Sequence, residues 1–189
     1  MALCARYALW QTTVNSFHGS AENDPSYIMD LVCDASERHA AVAGSEFDLK
    51  LYDRQSLQCD TTLALPAHSD RINELTYAPA GSSVAGRLFS ASSDGTVRGW
   101  DAAAPPRTGC AMEFRGKDEV WSISVSDGPL IATGTQSAVV LWDVRKATTP
   151  AALLEVHTEP VTAVRFQPGS ATALVSGSVD ELICSIDCR

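Results

Sequence analysis

LFSASSDGTVRGWD, residues 88–101, decides the fold. It opens on a run of small and apolar residues, LFSAS (88–92), breaks at Asp94-Gly95, and closes on an apolar residue followed by an acid, Trp100-Asp101. An Asp-Gly pair between two strand-like runs signals a tight hairpin, because such turns need backbone angles that these residues tolerate. The same plan recurs elsewhere. LVSGS (174–178) leads to Ile186-Asp187, LIATG (130–134) to Trp142-Asp143, and HAAVAG (39–44) to Tyr52-Asp53. The four closing aspartates are 48, 42 and 44 residues apart. A period of about 40–45 residues is that of a four-stranded repeat unit.

The repeat reaches further in both directions. Three residues before each closing apolar residue stands Leu49, Val97, Val139 or Ile183. Upstream lies an apolar set: Ile28, Leu31, Cys33; Ile72, Leu75, Tyr77; Val120, Ile123, Val125; Val161, Val164, Phe166. The last two members of each set are two residues apart, so they share one face of a strand. Two sets are preceded by His at matching places, His68 and His157. These stretches, LFSASSDGTVRGWD above all, resemble the WD-repeat (β-transducin repeat) family over residues 27–189. The second half is also similar to the WD repeat-containing protein 89 group. The resemblance implies an all-β WD-repeat β-propeller. It would hold an N-terminal segment with one strand (1–26) and four blades (27–67, 68–114, 115–155, 156–189).

In that family a buried His–Ser–Asp–Trp network pins each blade. The matching residues here are His68, Ser90, Asp94 and Trp100, and in the fourth blade His157, Ser176 and Asp180, with Ile186 in place of Trp. The residue types suit the task, since a buried carboxylate needs donors and an indole N–H needs an acceptor. The third blade is expected to carry Gly116, Ala132 and Gln136 at these places beside Trp142. The first is expected to carry Glu46 and Tyr52 at the Asp and Trp places.

His68, Ser90 and Asp94 are also the residue types of a nucleophilic triad, so a Ser-His-Asp hydrolase is the alternative reading. A triad needs an exposed serine and an oxyanion site. Ser90 lies in a strand of small and apolar residues without a Gly-x-Ser-x-Gly elbow. No carboxylate series accompanies Asp94-Gly95 to form a calcium loop, and no glycine-rich phosphate loop occurs. The expectation is a non-catalytic scaffold or adaptor with no catalytic residues, no metal site and no cofactor.

Binding residues follow from the resemblance. The positions three and five after the loop His face partners on one end of the propeller: Tyr27, Met29, Arg71, Asn73, Glu119, Trp121, Pro160 and Thr162. Trp, Tyr and Arg dominate interface energies, which puts Arg71 and Trp121 first. VVLWDVRK (139–146) resembles a box by which some family members dock on a ubiquitin-ligase adaptor, with Trp142, Asp143 and Arg145 matching it. A substrate receptor of a cullin-type ligase is therefore one expectation.

The formal net charge of −9 argues against non-specific nucleic-acid or anionic-membrane binding. No apolar run reaches membrane-span length, and Arg6 interrupts the mildly apolar start. An intracellular protein of cytoplasm or nucleus is expected, its partners other proteins. Six cysteines form no C-x-x-C pair, and Cys33 and Cys184 fall in strands as small apolar fillers. WD-repeat propellers generally have more than four blades, about seven most often. Residues 2–14 supply at most one more strand, so an incomplete propeller is expected. Its first and last blades would offer Ile28, Leu31, Leu49 and Leu51 at one end and Val161, Val164, Phe166, Val175 and Ile183 at the other.

Overall fold

A computed structural model describes residues 27–36, 38–56, 58–64, 66–101, 110–146 and 149–189. The strand expected within residues 2–14, and Cys4, lie outside the described residues. The rest is all-β, and no helix occurs among the described residues.

The strands form four antiparallel sheets in chain order. Sheet 1 holds β1 (Ile28–Cys33), β2 (His39–Gly44), β3 (Leu49–Asp53) and β4 (Cys59–Ala64). Sheet 2 holds β5 (Ile72–Tyr77), β6 (Leu88–Ser92), β7 (Thr96–Trp100) and β8 (Met112–Arg115). Sheet 3 holds β9 (Ser122–Val125), β10 (Leu130–Gly134), β11 (Val139–Asp143) and β12 (Ala152–Leu154). Sheet 4 holds β13 (Val161–Phe166), β14 (Ala173–Ser178) and β15 (Ile183–Asp187). Each first strand packs against the first strand of the sheet before it, so the sheets stand face to face like blades around an axis.

Alternation along the strands builds a core at each junction. Leu49 and Leu51 of sheet 1 meet Ile72, Leu88 and Trp100 of sheet 2. Phe89, Val97 and Phe114 of sheet 2 meet Val120, Ile131 and Trp142 of sheet 3, with the Phe114 and Trp142 rings 5.7 Å apart. Ala132, Val139 and Leu141 of sheet 3 meet Val161, Val164 and Leu174 of sheet 4. The last junction is tight: a Cβ on Gly134 would stand 2.3 Å from the Val161 carbonyl oxygen.

The two outward faces differ from expectation. Leu49, Leu51, Val161, Val164 and Phe166 are buried, because they face inward neighbours. Ile28 and Leu31 on sheet 1, and Val175, Val179, Leu182 and Ile183 on sheet 4, are exposed, Ile183 to 80%. The sheets thus form an arc with open ends. Of the two cysteines expected as fillers, Cys33 is exposed and Cys184 is half-buried.

Local backbone follows the repeat as well. Ile72–Glu74, Ile28–Asp30 and Val161–Ala163 each span a register shift in the first strand. Such a bulge leaves one residue unpaired and re-aims its side chain. The middle residues are Met29, Asn73 and Thr162. Gly95 takes a positive φ of 78° in the second hairpin, where Phe47 and Glu181 adopt 60° and 67° in the first and fourth.

Candidate functional site

The second sheet carries the expected network in full. His68 Nδ1 lies 3.1 Å from Asp94 Oδ2, and its Nε2 lies 2.7 Å from Ser90 Oγ. Trp100 Nε1–H donates to Ser90 Oγ at 2.9 Å. Thr96 donates to Asp94 Oδ1 through its amide (2.9 Å) and its hydroxyl (2.6 Å), and the Ser69 amide donates to Oδ2 at 3.1 Å. Burial pushes the His68 imidazole below its usual 6.5 despite the neighbouring carboxylate. The ring is therefore neutral near pH 7, with Nδ1–H donating to Asp94 and Nε2 accepting from the Ser90 hydroxyl. Burial alone would raise the Asp94 pKa, but the Thr96, Ser69 and His68 hydrogen bonds hold it well below the ordinary carboxylate range.

The distances are those of a triad, yet Ser90 is 0% exposed and the Trp100 indole already occupies its oxygen. A substrate carbonyl has no route to Ser90 Oγ. The arrangement ties the loop before β5 to β6, β7 and their turn.

The fourth sheet repeats it without the indole: His157 Nε2 to Ser176 Oγ 2.9 Å, His157 Nδ1 to Asp180 Oδ2 3.0 Å. The third departs from the sequence alignment. Trp142 Nε1–H donates to Thr133 Oγ1 at 3.0 Å, so Thr133, not Ala132, stands at the serine place. The connection between Thr133 and Trp142 is one residue shorter than that between Ser90 and Trp100, which displaces a position-by-position reading. Gln136 is exposed and joins no network. In the first sheet the buried carboxylate is Asp48, not Glu46, and Lys50 Nζ lies 2.6 Å from its Oδ2.

A second set of contacts was not anticipated. Asp30 Oδ2 accepts the Leu75 amide of the next sheet at 2.7 Å. Glu74 Oε2 accepts the Ile123 amide and the Ser122 hydroxyl, both at 2.7 Å. Ser122 Oγ accepts the Val164 amide at 3.1 Å. These residues hold one repeat position, each linking its first strand to that of the following sheet. The fourth member is Ala163, which has no acceptor. Arg165 reaches back to pair with Glu74. The signal in the sequence was a polar residue just before the second apolar position of each set, hidden because Asp, Glu and Ser share no simple pattern.

The expected binding residues lie at or just before the starts of the first strands, which are bulged in sheets 1, 2 and 4. The Arg71 guanidinium stacks over the Trp121 ring at 5.4 Å, and its Nε–H donates to Asn73 Oδ1 at 2.8 Å. Asn73 in turn donates to the Val120 carbonyl (2.7 Å) and to Ser93 Oγ (3.0 Å). Trp121 is half-buried, and its Nε1–H has no hydrogen-bond partner. Tyr27, Glu119 and Thr162 are exposed, and Met29 is half-buried.

The docking box is only partly presented. Trp142 is 1% exposed and belongs to the core, so its side chain meets no partner. Asp143 grips Arg145 through two bonds, Nε–Oδ1 2.8 Å and Nη2–Oδ2 2.6 Å, which draws the Asp143 pKa down to about 2. The Arg145 side chain is 68% exposed. Among the described residues no cluster of ligating side chains could hold a metal ion, and no helix is long and apolar enough to cross a membrane.

Comparison with known proteins gives one consistent picture. The WD domain, G-beta repeat family matches residues 58–101 and 148–187. The WD repeat-containing protein 89 homolog of Dictyostelium discoideum is 36% identical over 170 residues, covering 89% of this chain and 44% of that protein. The WD repeat-containing protein GTS1 of Arabidopsis thaliana is 35% identical over 119 residues, covering 62% of this chain and 30% of that protein. A chain in a crystal structure of the mitotic checkpoint complex superposes with a TM-score of 0.75 at 22% identity, covering 89% of this chain and 51% of that one. At that identity the likeness is one of fold. The chain spans less than half the length of the curated relatives it matches.

Proposed function

Since the chain belongs to the WD-repeat family, whose members serve as protein-interaction scaffolds and are generally non-catalytic, we propose that it binds protein partners through the Arg71–Trp121 face. The carrying observation is the stacked pair itself. A guanidinium held by Asn73 over a half-buried indole offers a preordered contact with a charged and an apolar part. Tyr27, Met29, Glu119 and Thr162 extend that surface. Affinity capture from cell extract with quantitative mass spectrometry tests it, wild type beside Arg71→Ala and Trp121→Ala. Partners should fall away at least tenfold from both variants, and undiminished capture would refute the assignment.

The exposed, clamped Arg145 supports a second reading, docking on the adaptor of a cullin-type ubiquitin ligase, which would make the protein a substrate receptor. Arg145→Ala should then remove the adaptor from pull-downs with folding intact. Failure of the wild type to capture the adaptor ends this reading. The hydrolase alternative is disfavoured by the burial of Ser90; stoichiometric labelling of Ser90 by a fluorophosphonate in folded protein would reinstate it. An intracellular location, in cytoplasm or nucleus, is part of the same proposal.

A further inference from the structure

A cavity of about 340 Å³ opens between sheets 2 and 3, where β8 runs into the loop before β9. Its position in the repeat is informative. His68 stands four residues before buried Ile72, and His157 four before buried Val161. The residue four before buried Val120 is Gly116, which lines the cavity. In the sister blades a histidine side chain from this loop fills the corresponding space; here none does. The glycine is not imposed by its backbone. Its φ lies outside the left-handed region, and an added Cβ would meet nothing nearer than the Gly95 oxygen at 3.5 Å.

The walls name the occupant. Val120, Val140, Trp142 and Leu153 line the cavity. The polar atoms beneath are spoken for: Trp142 Nε1–H is held by Thr133 Oγ1, whose hydroxyl donates to the Val140 carbonyl at 3.3 Å. Sheet 2 has Arg98 facing Ser90 across the strand pair; sheet 3 has Val140 facing Thr133. Thr135 of the wall donates its hydroxyl to the Ala138 carbonyl at 3.0 Å, so the side-chain donors of the inner wall are engaged and the space suits an apolar group. Arg115, Lys117 and Asp118 stand at its edge; Arg115 pairs with Glu113 at 3.1 Å, so Lys117 is the cation turned to a ligand. Leu153, 58% exposed, extends the apolar wall to the surface.

We infer that this cavity receives one bulky apolar side chain of an extended partner peptide, with an acidic residue beside it held by Lys117. The inference rests on the reading of the protein as an interaction module, but on a site distinct from the Arg71–Trp121 face. The test probes the full chain with a phage-displayed library of random peptides. Enriched peptides should share an aromatic or branched apolar residue flanked by Asp or Glu. They should bind Gly116→His, in which the cavity is filled, at least tenfold more weakly, and Leu153→Asp likewise. Gly116→Ala should melt as the wild type does, and Arg71→Ala should bind these peptides within about twofold of wild type. Peptides that bind Gly116→His and Leu153→Asp undiminished, that lack an apolar anchor, or no enrichment at all would overturn the cavity site. Peptides lost only with Arg71→Ala would overturn it while leaving the Arg71–Trp121 face standing.

Discussion

Replacing Asp94 by Ala should destabilise the protein severely, and the contacts give the scale. Asp94 receives hydrogen bonds from His68 Nδ1–H, the Ser69 amide, and the Thr96 amide and hydroxyl. Ser69 is exposed, so water replaces its bond. The Thr96 hydroxyl can turn to His68 Nδ1, 3.1 Å away. What stays unmet is roughly two donors on groups that are 0–1% exposed. At about 1–3 kcal/mol for each unsatisfied buried group, the loss is about 2–6 kcal/mol. With a urea slope of about 2 kcal/mol/M, the denaturation midpoint should fall by about 1–3 M. Trp100 sits in the network and makes intrinsic fluorescence a suitable probe. Asp94→Asn, which keeps one acceptor, should fall between Asp94→Ala and wild type. Gln136→Ala, at an exposed position outside any network, should shift stability by no more than about 0.5 kcal/mol. Equal midpoints for Asp94→Ala and Gln136→Ala would refute the view that this network holds the blade.

Glu74→Ala should cost about 2 kcal/mol by stranding the Ile123 amide and the Ser122 hydroxyl. Hydrogen exchange at Ile123 should speed up in Glu74→Ala and stay near wild type in Glu74→Gln, whose amide oxygen still accepts; unchanged protection in both would contradict the inter-sheet link. Acid should act in two stages. His68 is held below 6.5 when folded, so the unfolded chain takes up a proton first and stability falls as pH drops below about 6.5. Asp94 is held below its usual 3.8, so its contribution is present above that value and is lost as pH falls towards the depressed folded pKa. A urea midpoint that stays flat from pH 7.5 to 5 would argue against a neutral buried His68. Finally, the exposed Val175, Leu182 and Ile183 should make the chain bind hydrophobic dyes and elute above its 20.1 kDa monomer mass. The pair Val175→Thr and Ile183→Lys should reduce both, and a dye-silent wild-type monomer would count against an adhesive outward face.

The strands and their grouping were legible because hydrophobic alternation and the closing Asp repeat at a steady period. The full network of sheet 2 was legible for the same reason. Thr133 was not, since a turn one residue shorter shifts the frame that an alignment assumes. Asp48 was not, because burial depends on the hairpin bringing its carboxylate beneath Lys50, while the nearer match by count was Glu46. The burial of Trp142 was not legible, because a Trp in a repeat motif is as useful to a core as to a partner. The cavity at Gly116 needed both the repeat position and the three-dimensional packing. A glycine in a loop says nothing by itself about whether its absent side chain leaves a hole.

The acceptor series Asp30, Glu74 and Ser122 runs one way along the chain, each oxygen taking an amide from the sheet that follows. The assembly therefore has a polarity, like a row of hooks that all open in the same direction. Ala163 is a missing hook: whatever backbone lies against it meets a methyl group where an oxygen would stand. At the junction of sheets 3 and 4 the Ser122 hydroxyl does not act alone: Ser124 Oγ takes the Phe166 amide at 3.0 Å and Asp127 Oδ2 takes the Gly169 amide at 2.7 Å. The hooks thus give the stack a direction that its nearly uniform hydrophobic pattern does not show.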